Sequence, residues 1–512
     1  MNTKTHYPTY TLTFEDALYY RDIDLLRDLL DKGRNPDRPT KGGDFVIIEA
    51  LKRGLGHFVE LLKERGVSLN TYSAEGDPAF IVALPHHPTW CLKEWWPEAD
   101  VNEPRHDGAR PLHIAVEAHK PELVEWLLER GADRDLTNAQ GETPLAYCRR
   151  LLAECTDKKD RAWLRDCERC LTAQPHEWNL DAYAQLLPEL RAAKLDRESP
   201  LECYRAALKA RNLPLVRKLL EAGGDPTDGL LDVCNQDPCP EKAALVDLLL
   251  AHGANPSGTP GAEDTPLTNA IAFINDKQTV RRLLEAGANP YPMNWDGYGP
   301  LKFASSEEDF DIVNLLLAED VDVNCISDDT GSSALDNILF HERRDLEPVE
   351  EFLKRGAHPF TIPAEGHACT TMVMLEEMAR GAYAFELDEQ QSAQEALALL
   401  YKYFPFLTPL RAEDDIAAYN LVNAAAYGLE NEVDFALRGG ASPDAANSKG
   451  ESALYLAALY GHEQVVYTLL RYGANPNVTP SPLAAAEQLA APDRERLVRL
   501  LLGFGATPLP SL

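Results

Sequence analysis

The sequence has few basic residues for its length and no long apolar run. Its 512 residues include 50 Lys and Arg against 82 Asp and Glu, which gives a formal net charge of −32 at pH 7. Binding to nucleic acid or anionic lipid requires Lys and Arg that neutralise phosphates, so the charge argues against both and favours a basic protein partner. No stretch reaches the roughly 18 consecutive apolar residues of a membrane span, and the first residues lack a signal-peptide pattern. We expect a soluble, cytoplasmic protein, with export by a signal-less route as the alternative.

The sequence also lacks a disulfide framework and the common catalytic motifs. Its ten cysteines are scattered along the chain, which is typical of reduced thiols and predicts no disulfide. No phosphate-binding glycine loop, dinucleotide-binding glycine motif, nucleophile elbow or His-Glu-x-x-His zinc motif occurs. We therefore expect no cofactor and no enzymatic activity.

An internal repeat organises the chain. The string Gly-Ala-Asn-Pro begins at Gly253, Gly287 and Gly473, and the first two copies are 34 residues apart. Each copy follows an apolar stripe that ends in Leu-Leu, and glycine after the last periodic residue is a typical helix stop. The other end of the unit carries Thr-Pro-Leu or a variant of it, which places a capping hydroxyl before a proline in the first helical turn. These strings begin at Arg110, Thr143, Thr265, Gly299 and Ser452.

These residues resemble the ankyrin repeat family. The segment Arg110–Ala115 reads Arg-Pro-Leu-His-Ile-Ala and is similar to the family's Thr-Pro-Leu-His-x-Ala signature, with Arg in place of Thr. The resemblance implies an all-α solenoid of about 13 units, each with two antiparallel helices and a short β-hairpin finger. In such arrays a repeat contacts only its neighbours, so the ends need caps, for which Tyr7–Leu30 and Asp493–Leu512 would serve.

Two irregular stretches interrupt the repeat. The first predicts helices at Leu145–Glu154, Asp160–Ala173 and Asp181–Lys194, and the second predicts two helices within Thr370–Phe406. We interpret both as expanded repeats inside a continuous stack, with a hinge at either place as the alternative. The predicted segments are N-terminal repeats (1–145), an expanded helical region (146–200), central repeats (201–365), an expanded acidic repeat (366–415), and C-terminal repeats with a cap (416–512).

Cysteine and histidine residues in the first irregular stretch are the best metal candidates: Cys148, Cys155, Cys167, Cys170 and His176. Cys167 and Cys170 have the C-x₂-C spacing of zinc ligands. The same two cysteines also continue an apolar helical stripe that includes Trp163 and Leu171, and buried cysteine behaves as a small hydrophobic side chain. We favour core packing and keep zinc as the alternative.

Other histidines and the tryptophans favour structural roles. By the resemblance, His113 occupies the signature position where the family keeps a hydrogen-bonded histidine. His86 and His87 fit a turn between two helices better than a metal site. Four tryptophans fall on inferred second helices, where we expect them in the core: Trp90, Trp95, Trp96 and Trp126.

Two adjacent features predict a contact surface within Pro290–Gly331. The segment Ser305–Gly331 holds nine acidic residues and no Lys, Arg or His; such crowding favours a partner that supplies positive charge, although a solvated face that aids solubility is the alternative. The preceding finger is aromatic, and aromatic residues are enriched at binding hot spots. The predicted contact residues are Tyr291, Met293, Trp295 and Tyr298 in the finger and Glu307, Glu308, Asp309, Asp328 and Asp329 in the acidic segment.

We therefore expect a protein that binds a basic partner protein through the concave face and fingers of an ankyrin-type solenoid. Two alternatives stay open. One is an immunity-type inhibitor that neutralises a basic toxin or nuclease, and the other is an exported effector or an enzyme whose site is hidden in an expanded repeat.

Overall fold

A computed structural model describes residues 13–173, 177–259, 262, 264–272, 276–291, 299–306, 310–325, 333–340, 346–360, 371–381, 387–410 and 415–507. The secondary structure of these residues is helical, with two isolated β-bridges and no longer strand. Within the same residues, no helix is long and apolar enough to cross a membrane. The predicted all-α class is confirmed.

The described residues contain 29 helices, most of them in consecutive pairs. The first fifteen are α1 (Phe14–Tyr19), α2 (Ile23–Asp31), α3 (Val46–Lys52), α4 (Gly56–Glu64), α5 (Ala79–Ala83), α6 (Thr89–Trp95), α7 (Pro111–Glu117), α8 (Pro121–Glu129), α9 (Pro144–Glu154), α10 (Lys158–Thr172), α11 (Leu180–Ala192), α12 (Pro200–Lys209), α13 (Leu213–Glu221), α14 (Pro226–Cys234) and α15 (Pro240–Ala251). The others are α16 (Pro266–Ala272), α17 (Lys277–Glu285), α18 (Pro300–Ser306), α19 (Phe310–Leu317), α20 (Ala334–Phe340), α21 (Leu346–Lys354), α22 (Thr371–Ala379), α23 (Leu387–Tyr403), α24 (Ile416–Tyr427), α25 (Glu430–Arg438), α26 (Ala453–Leu459), α27 (Glu463–Arg471), α28 (Pro482–Ala486) and α29 (Asp493–Gly503).

The pair α26 and α27 shows how the sequence builds one unit. The Ser452 hydroxyl caps α26 by accepting a hydrogen bond from the backbone N–H of Tyr455 at 3.1 Å. Helix α27 ends before Gly473, whose φ of +91° is accessible to glycine without steric cost. The N–H of Ala474 then donates to the carbonyl oxygen of Leu469 at 3.0 Å and satisfies one of the last helical carbonyls. The predicted start and stop signals are thus confirmed in this unit.

The connections between units, which we call fingers, are tight turns. In the finger before α26, the side-chain oxygen of Asn447 accepts hydrogen bonds from the N–H groups of Lys449 and Glu451, at 3.0 Å each. The predicted hairpins are reduced to single antiparallel bridges in the described residues, because the turn itself supplies most of the hydrogen bonds. These bridges join Tyr72 to Pro78 and Ala446 to Ser452.

The chain divides into two compact units. The first unit is Leu26–Asp322, and the second combines Met1–Leu25 with Val323–Leu512. In the second unit, the C-terminal repeats share one apolar core whose members run from Leu421 to Ala506. The division into five sequence segments stays a prediction.

Residues 13–24, here called the N-terminal segment, contact the C-terminal repeats of the second unit. The ring of Tyr20 stacks on that of Tyr467, with centroids 3.8 Å apart. The hydroxyl of Tyr467 donates to Asp22 at 2.7 Å, and the guanidinium of Arg471 lies 2.7 Å from the same carboxylate. The expectation that each repeat contacts only its neighbours is wrong here, because Asp22 and Tyr467 are 445 positions apart.

Helix α10 makes similar long-range contacts within the first unit, and we call them the α10 bridge. Its Asp166, which is 3% exposed, accepts a hydrogen bond from the side chain of Asn289 at 3.0 Å. Its Arg169 donates to the carbonyl oxygen of Gly287 at 3.2 Å. The helices predicted in this stretch are confirmed as α9, α10 and α11, but α10 reaches repeats more than a hundred positions later, as the 123-residue separation of Asp166 and Asn289 shows.

Candidate partner-binding surface

The predicted aromatic finger is described only at its base. Tyr291 is half-buried, its hydroxyl donates to the carbonyl oxygen of Glu319, and the ammonium of Lys159 lies 5.9 Å from its ring centroid. Burial raises the pKa of Tyr291 to about 12. Tyr291 therefore anchors the finger base within the first unit. The other predicted finger contacts, Met293, Trp295 and Tyr298, lie outside the described residues.

The predicted acidic segment is partly balanced by lysines of other repeats. Asp311 lies 2.8 Å from the ammonium of Lys277, and Asp320 lies 3.9 Å from that of Lys158. Both carboxylates stay exposed, at 74% and 69%, so the pairs add little stability but reduce the local repulsion. The predicted contact residues Glu307, Glu308, Asp309, Asp328 and Asp329 lie outside the described residues, and their role stays a prediction.

The cysteine group belongs to the core where it is described. Cys148 and Cys167 are fully buried and Cys170 is nearly so. Burial raises the pKa of Cys148 to about 12 and also raises the pKa of the other two thiols. Since the thiolate is both the nucleophile and the metal ligand, these protonated thiols serve as packing groups. Cys155 is partly exposed, and His176 lies outside the described residues.

Two of the predicted structural histidines make hydrogen bonds between repeats. Nε2 of His113 donates to the carbonyl oxygen of Glu142 at 2.9 Å, and Nε2 of His87 donates to that of Leu51 at 3.0 Å. Burial lowers the pKa of His87 to about 4, so its imidazole is neutral at pH 7. The structural interpretation of both histidines is confirmed.

The prediction that Trp90 lies in the core is wrong. Helix α6 buries Cys91, Leu92 and Trp95, which leaves Trp90 on its other face, 63% exposed. Helical periodicity allows this outcome, because α6 is too short to define a stripe before its packing is known. The remaining tryptophans expected in the core are buried: Trp95, Trp96 and Trp126.

Successive fingers are tied together at their bases. The side-chain oxygen of Asn102 accepts a hydrogen bond from the N–H of Asp133 at 2.9 Å, and that of Asn477 accepts one from Thr507 at 2.8 Å. The Asn of the Gly-Ala-Asn-Pro string takes part in the same scheme, since the N–H of Asn475 donates to the side chain of Asp444 in the preceding finger at 2.7 Å. These bonds hold consecutive fingers in register.

The finger tips are exposed in the described repeats. Tyr72 is 59% exposed where one finger begins, opposite Pro78 in the antiparallel bridge, and the sequence did not single it out because it lies outside the aromatic-rich finger. On the next tip, Nδ1 of His106 donates to Asp77 at 2.6 Å, with Glu75 at 3.9 Å. The hydrogen bond to Asp77 raises the pKa of His106. These three residues form the only group of metal-ligating type found within the described residues, but Asp77 already accepts both hydrogen bonds of His106.

A small cavity lies between α24 and the finger before α26. Its volume is about 100 Å³, and its walls include Asp415, Asn423 and Asn447. Asn423 is 5% exposed, and its Nδ2 has no hydrogen-bond partner among the described residues. No sequence motif marks Asn423, because its position in the repeat normally reads as an ordinary core position.

The chain is a helical-repeat protein. Its helices come in pairs that end at glycine, and the fingers between the pairs are hydrogen-bonded to one another at their bases. Family comparison agrees: residues 98–148 match ankyrin repeats (many copies), residues 239–327 match ankyrin repeats (3 copies), and residues 449–480 match the ankyrin repeat. The chain belongs to the ankyrin repeat family, and the predicted resemblance is confirmed.

The curated relatives are different proteins, and each matches a different length of this chain. The E3 ubiquitin-protein ligase KEG of Arabidopsis thaliana is 25% identical over 320 residues, which cover 61% of this chain and 17% of KEG. Protein phosphatase 1 regulatory subunit 27 of Homo sapiens is 31% identical over 103 residues, or 20% of this chain and 67% of that protein. Ankyrin repeat and SOCS box protein 16 of Mus musculus is 25% identical over 256 residues, or 44% of this chain and 56% of that protein. These similarities support a role in protein–protein interaction, in a family that is generally not enzymatic.

Proposed function

We propose that the chain binds a basic partner protein through its finger tips and the first helix of each repeat, and that it acts by binding and not by catalysis. The observation that carries this proposal is the row of fingers tied at their bases, with exposed tips, on a chain of net charge −32. A surface held in register before binding loses little conformational entropy when a partner docks. Its excess negative charge attracts a positive partner and speeds their encounter.

The acidic segment is the part of this surface that the proposal assigns to the partner's lysines and arginines. The double variant Asp328→Lys, Asp329→Lys should weaken binding at least tenfold and slow association, and high salt should weaken the unchanged protein in the same way. The matched control is Glu94→Lys with Glu129→Lys, which changes the net charge equally at exposed positions of the second helices α6 and α8.

The measurement starts with affinity capture by the full chain, followed by surface plasmon resonance with the purified partner. Equal affinity of the wild type and the Asp328/Asp329 variant would remove the acidic segment from the proposal. Capture of acidic or unrelated proteins only would contradict the basic-partner proposal itself.

A narrower candidate is an inhibitor that neutralises one basic toxin or nuclease. The charge of −32 favours it, because inhibition of such a partner relies on blocking its cationic surface. It predicts a single basic partner whose activity is lost on binding, and the same resonance experiment combined with a nuclease assay distinguishes it from a general adaptor.

A further inference from the structure

Helix α10 supplies a cation to the ends of two second helices. Helices α15, α17 and α19 are the second helices of three consecutive repeats. Lys158, at the start of α10, donates to the carbonyl oxygen of Ala318 at the end of α19. Further along α10, Arg169 donates to the carbonyl oxygens of Ala286 at 3.4 Å and Gly287 at 3.2 Å, at the end of α17. Both cations are well placed, because the last carbonyls of a helix carry partial negative charge.

The end of α15 has no such cation among the described residues. His252 and Gly253 precede the equivalent residues of α17 by the 34-residue period of the repeat, and no donor to either carbonyl oxygen is found in the described part of the chain. A Cβ atom at Gly253 would meet no atom within 4 Å, whereas one at Gly287 would lie 3.4 Å from Nη2 of Arg169. The space that Arg169 fills at α17 is therefore open at α15.

A cavity of about 510 Å³ lies at this end of α15. Its walls come from the C-terminal end of α10, from the finger bases before α14 and α16, and from Glu125 of α8. Helices α10 and α15 both end at the cavity, so the partial negative charges of two helix termini meet there. A ligand can enter, because part of the rim is exposed: Thr172, Ala173, His252, Gly253 and Thr259.

The charged side chains of the walls also favour a cation. Glu125 is half-buried, and its carboxylate has no hydrogen bond or ion pair among the described residues. Burial raises the pKa of Glu125 in spite of the positive charge of Lys93. Asp225 adds a second carboxylate to the walls. Arg169 lines the cavity as well, but its guanidinium is paired with the buried carboxylate of Asp166 at 2.7 Å.

The arrangement of these acceptors selects a guanidinium over an ammonium. The walls offer the last carbonyls of α15 on one side and the carboxylate of Glu125 on another. A guanidinium carries five N–H donors in a planar fork, whereas an ammonium is a compact point charge. Arg169 shows the same combination at α17, because its one guanidinium reaches two carbonyl oxygens and a carboxylate together.

We propose that the cavity at the end of α15 binds the guanidinium of an arginine residue presented by the basic partner protein. This arginine takes at α15 the place that Arg169 takes at α17, and Glu125 and Asp225 balance its charge. The proposal rests on the proposed function above. It adds the residue type that is recognised and a contact point at the finger bases of the first unit.

The test uses a phage-displayed library of random twelve-residue peptides, selected on the full chain and counter-selected on Glu125→Gln. We expect the enriched peptides to share an arginine. By calorimetry, a synthetic consensus peptide should lose roughly tenfold affinity or more when this arginine becomes citrulline, which keeps the length and planar end of the side chain but removes its charge.

Variants of the wall residues test the same contact from the protein side. Glu125→Gln keeps the shape of the wall and removes its charge, so it should lower the affinity for the peptide roughly tenfold. Asp225→Asn should also weaken binding, and asparagine can still cap α14 by accepting the N–H of Thr227. Glu129→Gln is the matched control, because Glu129 lies on the same helix as Glu125, is exposed and is not part of the walls; it should bind as the wild type does. Circular dichroism and the thermal midpoint verify that each variant is folded.

Three outcomes would overturn the inference: enriched peptides without an arginine, a citrulline peptide that binds within threefold of the arginine peptide, or binding by Glu125→Gln within threefold of the wild type. If the captured partner still binds Glu125→Gln fully, the cavity inference fails while the proposed function stands. If the full chain captures no basic protein but the arginine peptide binds and is lost in Glu125→Gln, the proposed function fails while the cavity inference stands.

Discussion

The N-terminal segment and the α10 bridge both leave the repeat period, but they do so with different chemistry. In the second unit, the N-terminal segment joins Asp22 (4% exposed) to Arg471 (9% exposed) beneath a stack of two tyrosines. In the first unit, α10 combines the buried hydrogen bond between Asp166 and Asn289 with partly exposed cations that donate to carbonyl oxygens where other helices end, as Lys158 does to Ala318. A dry ion pair resists solvent and salt, whereas an exposed cation near a helix terminus is weakened by both.

The difference indicates what each contact does for the molecule. The N-terminal segment packs against Tyr467 and Arg471 of α27 and is part of the folded core of its unit. The α10 bridge sets the position of the finger base at Gly287 and Asn289, next to the predicted contact surface. One contact is therefore expected to govern stability, and the other to tune a binding surface.

The largest expected effect is the loss of Asp22. Asp22→Ala removes the buried carboxylate that pairs with the guanidinium of Arg471 and accepts the hydrogen bond of the Tyr467 hydroxyl, which should reduce the free energy of unfolding by about 3 kcal/mol. Urea denaturation followed by circular dichroism measures it. The control is Asp24→Ala, because Asp24 pairs with the same Arg471 at 2.7 Å but is 51% exposed; it should cost less than about 1 kcal/mol. Equal costs would show that the buried pair is not special.

Breaking the α10 bridge should reduce the free energy of unfolding by less than Asp22→Ala does. Asp166→Ala removes the acceptor of Asn289 and one partner of Arg169, with an expected loss of about 2 kcal/mol, measured in the same way. Glu168→Gln is the control on the same helix, since it only weakens the exposed pair with Arg149 and should cost no more than about 0.5 kcal/mol. A larger loss from Asp166→Ala than from Asp22→Ala would reverse the comparison.

Salt should separate the two contacts directly. Raising NaCl from about 0.1 M to about 1 M shortens the Debye length from roughly 10 Å to roughly 3 Å. The destabilisation caused by Lys158→Ala, below about 1 kcal/mol at low salt, should then shrink toward zero, while that caused by Asp22→Ala should persist. If both shrink in proportion, solvent reaches the N-terminal contact as well.

The smallest effect is expected from pH, at an ordinary contact between neighbouring fingers. Because the hydrogen bond to Asp77 raises the pKa of His106, this contact stabilises the fold fully below the unfolded pKa of about 6.5 and loses that contribution as pH rises through the folded value. His106→Gln should flatten this slope between pH 6 and 8 in thermal unfolding. An unchanged slope would assign it to another group.

At His87 we expect stability to change with pH in the opposite direction. Burial lowers its pKa to about 4, so stability should fall as pH drops from about 6.5 toward that value, because the unfolded chain takes up the proton first. His87→Asn should reduce this acid-side slope without abolishing it, because burial also lowers the pKa of His86, His113 and His462; thermal unfolding between pH 4 and 7 records the change.

Local signals predicted the units well. Thr143 before Pro144 and the apolar spacing after it place a helix at residues 145–154, and α9 occupies Pro144–Glu154. Signals of this kind work because a cap, a proline and a glycine stop act within one turn. Trp90 shows the limit of such local signals, since a helix of five to seven residues has too few positions for its buried face to be inferred from sequence. Asn423 is a second example, because its unsatisfied amide is visible only once its neighbours are placed.

The sequence alone determined the repeat, its helices, its glycine stops and the excess of negative charge, because these depend on residues within one unit or on composition. Only the tertiary structure decided that Tyr20 lies on Tyr467, that Asp166 meets Asn289, and that a cavity opens beside Asn423. Such contacts join side chains that are far apart in the chain or enclosed by several elements, and their free energy depends on distances and burial that no periodic pattern encodes.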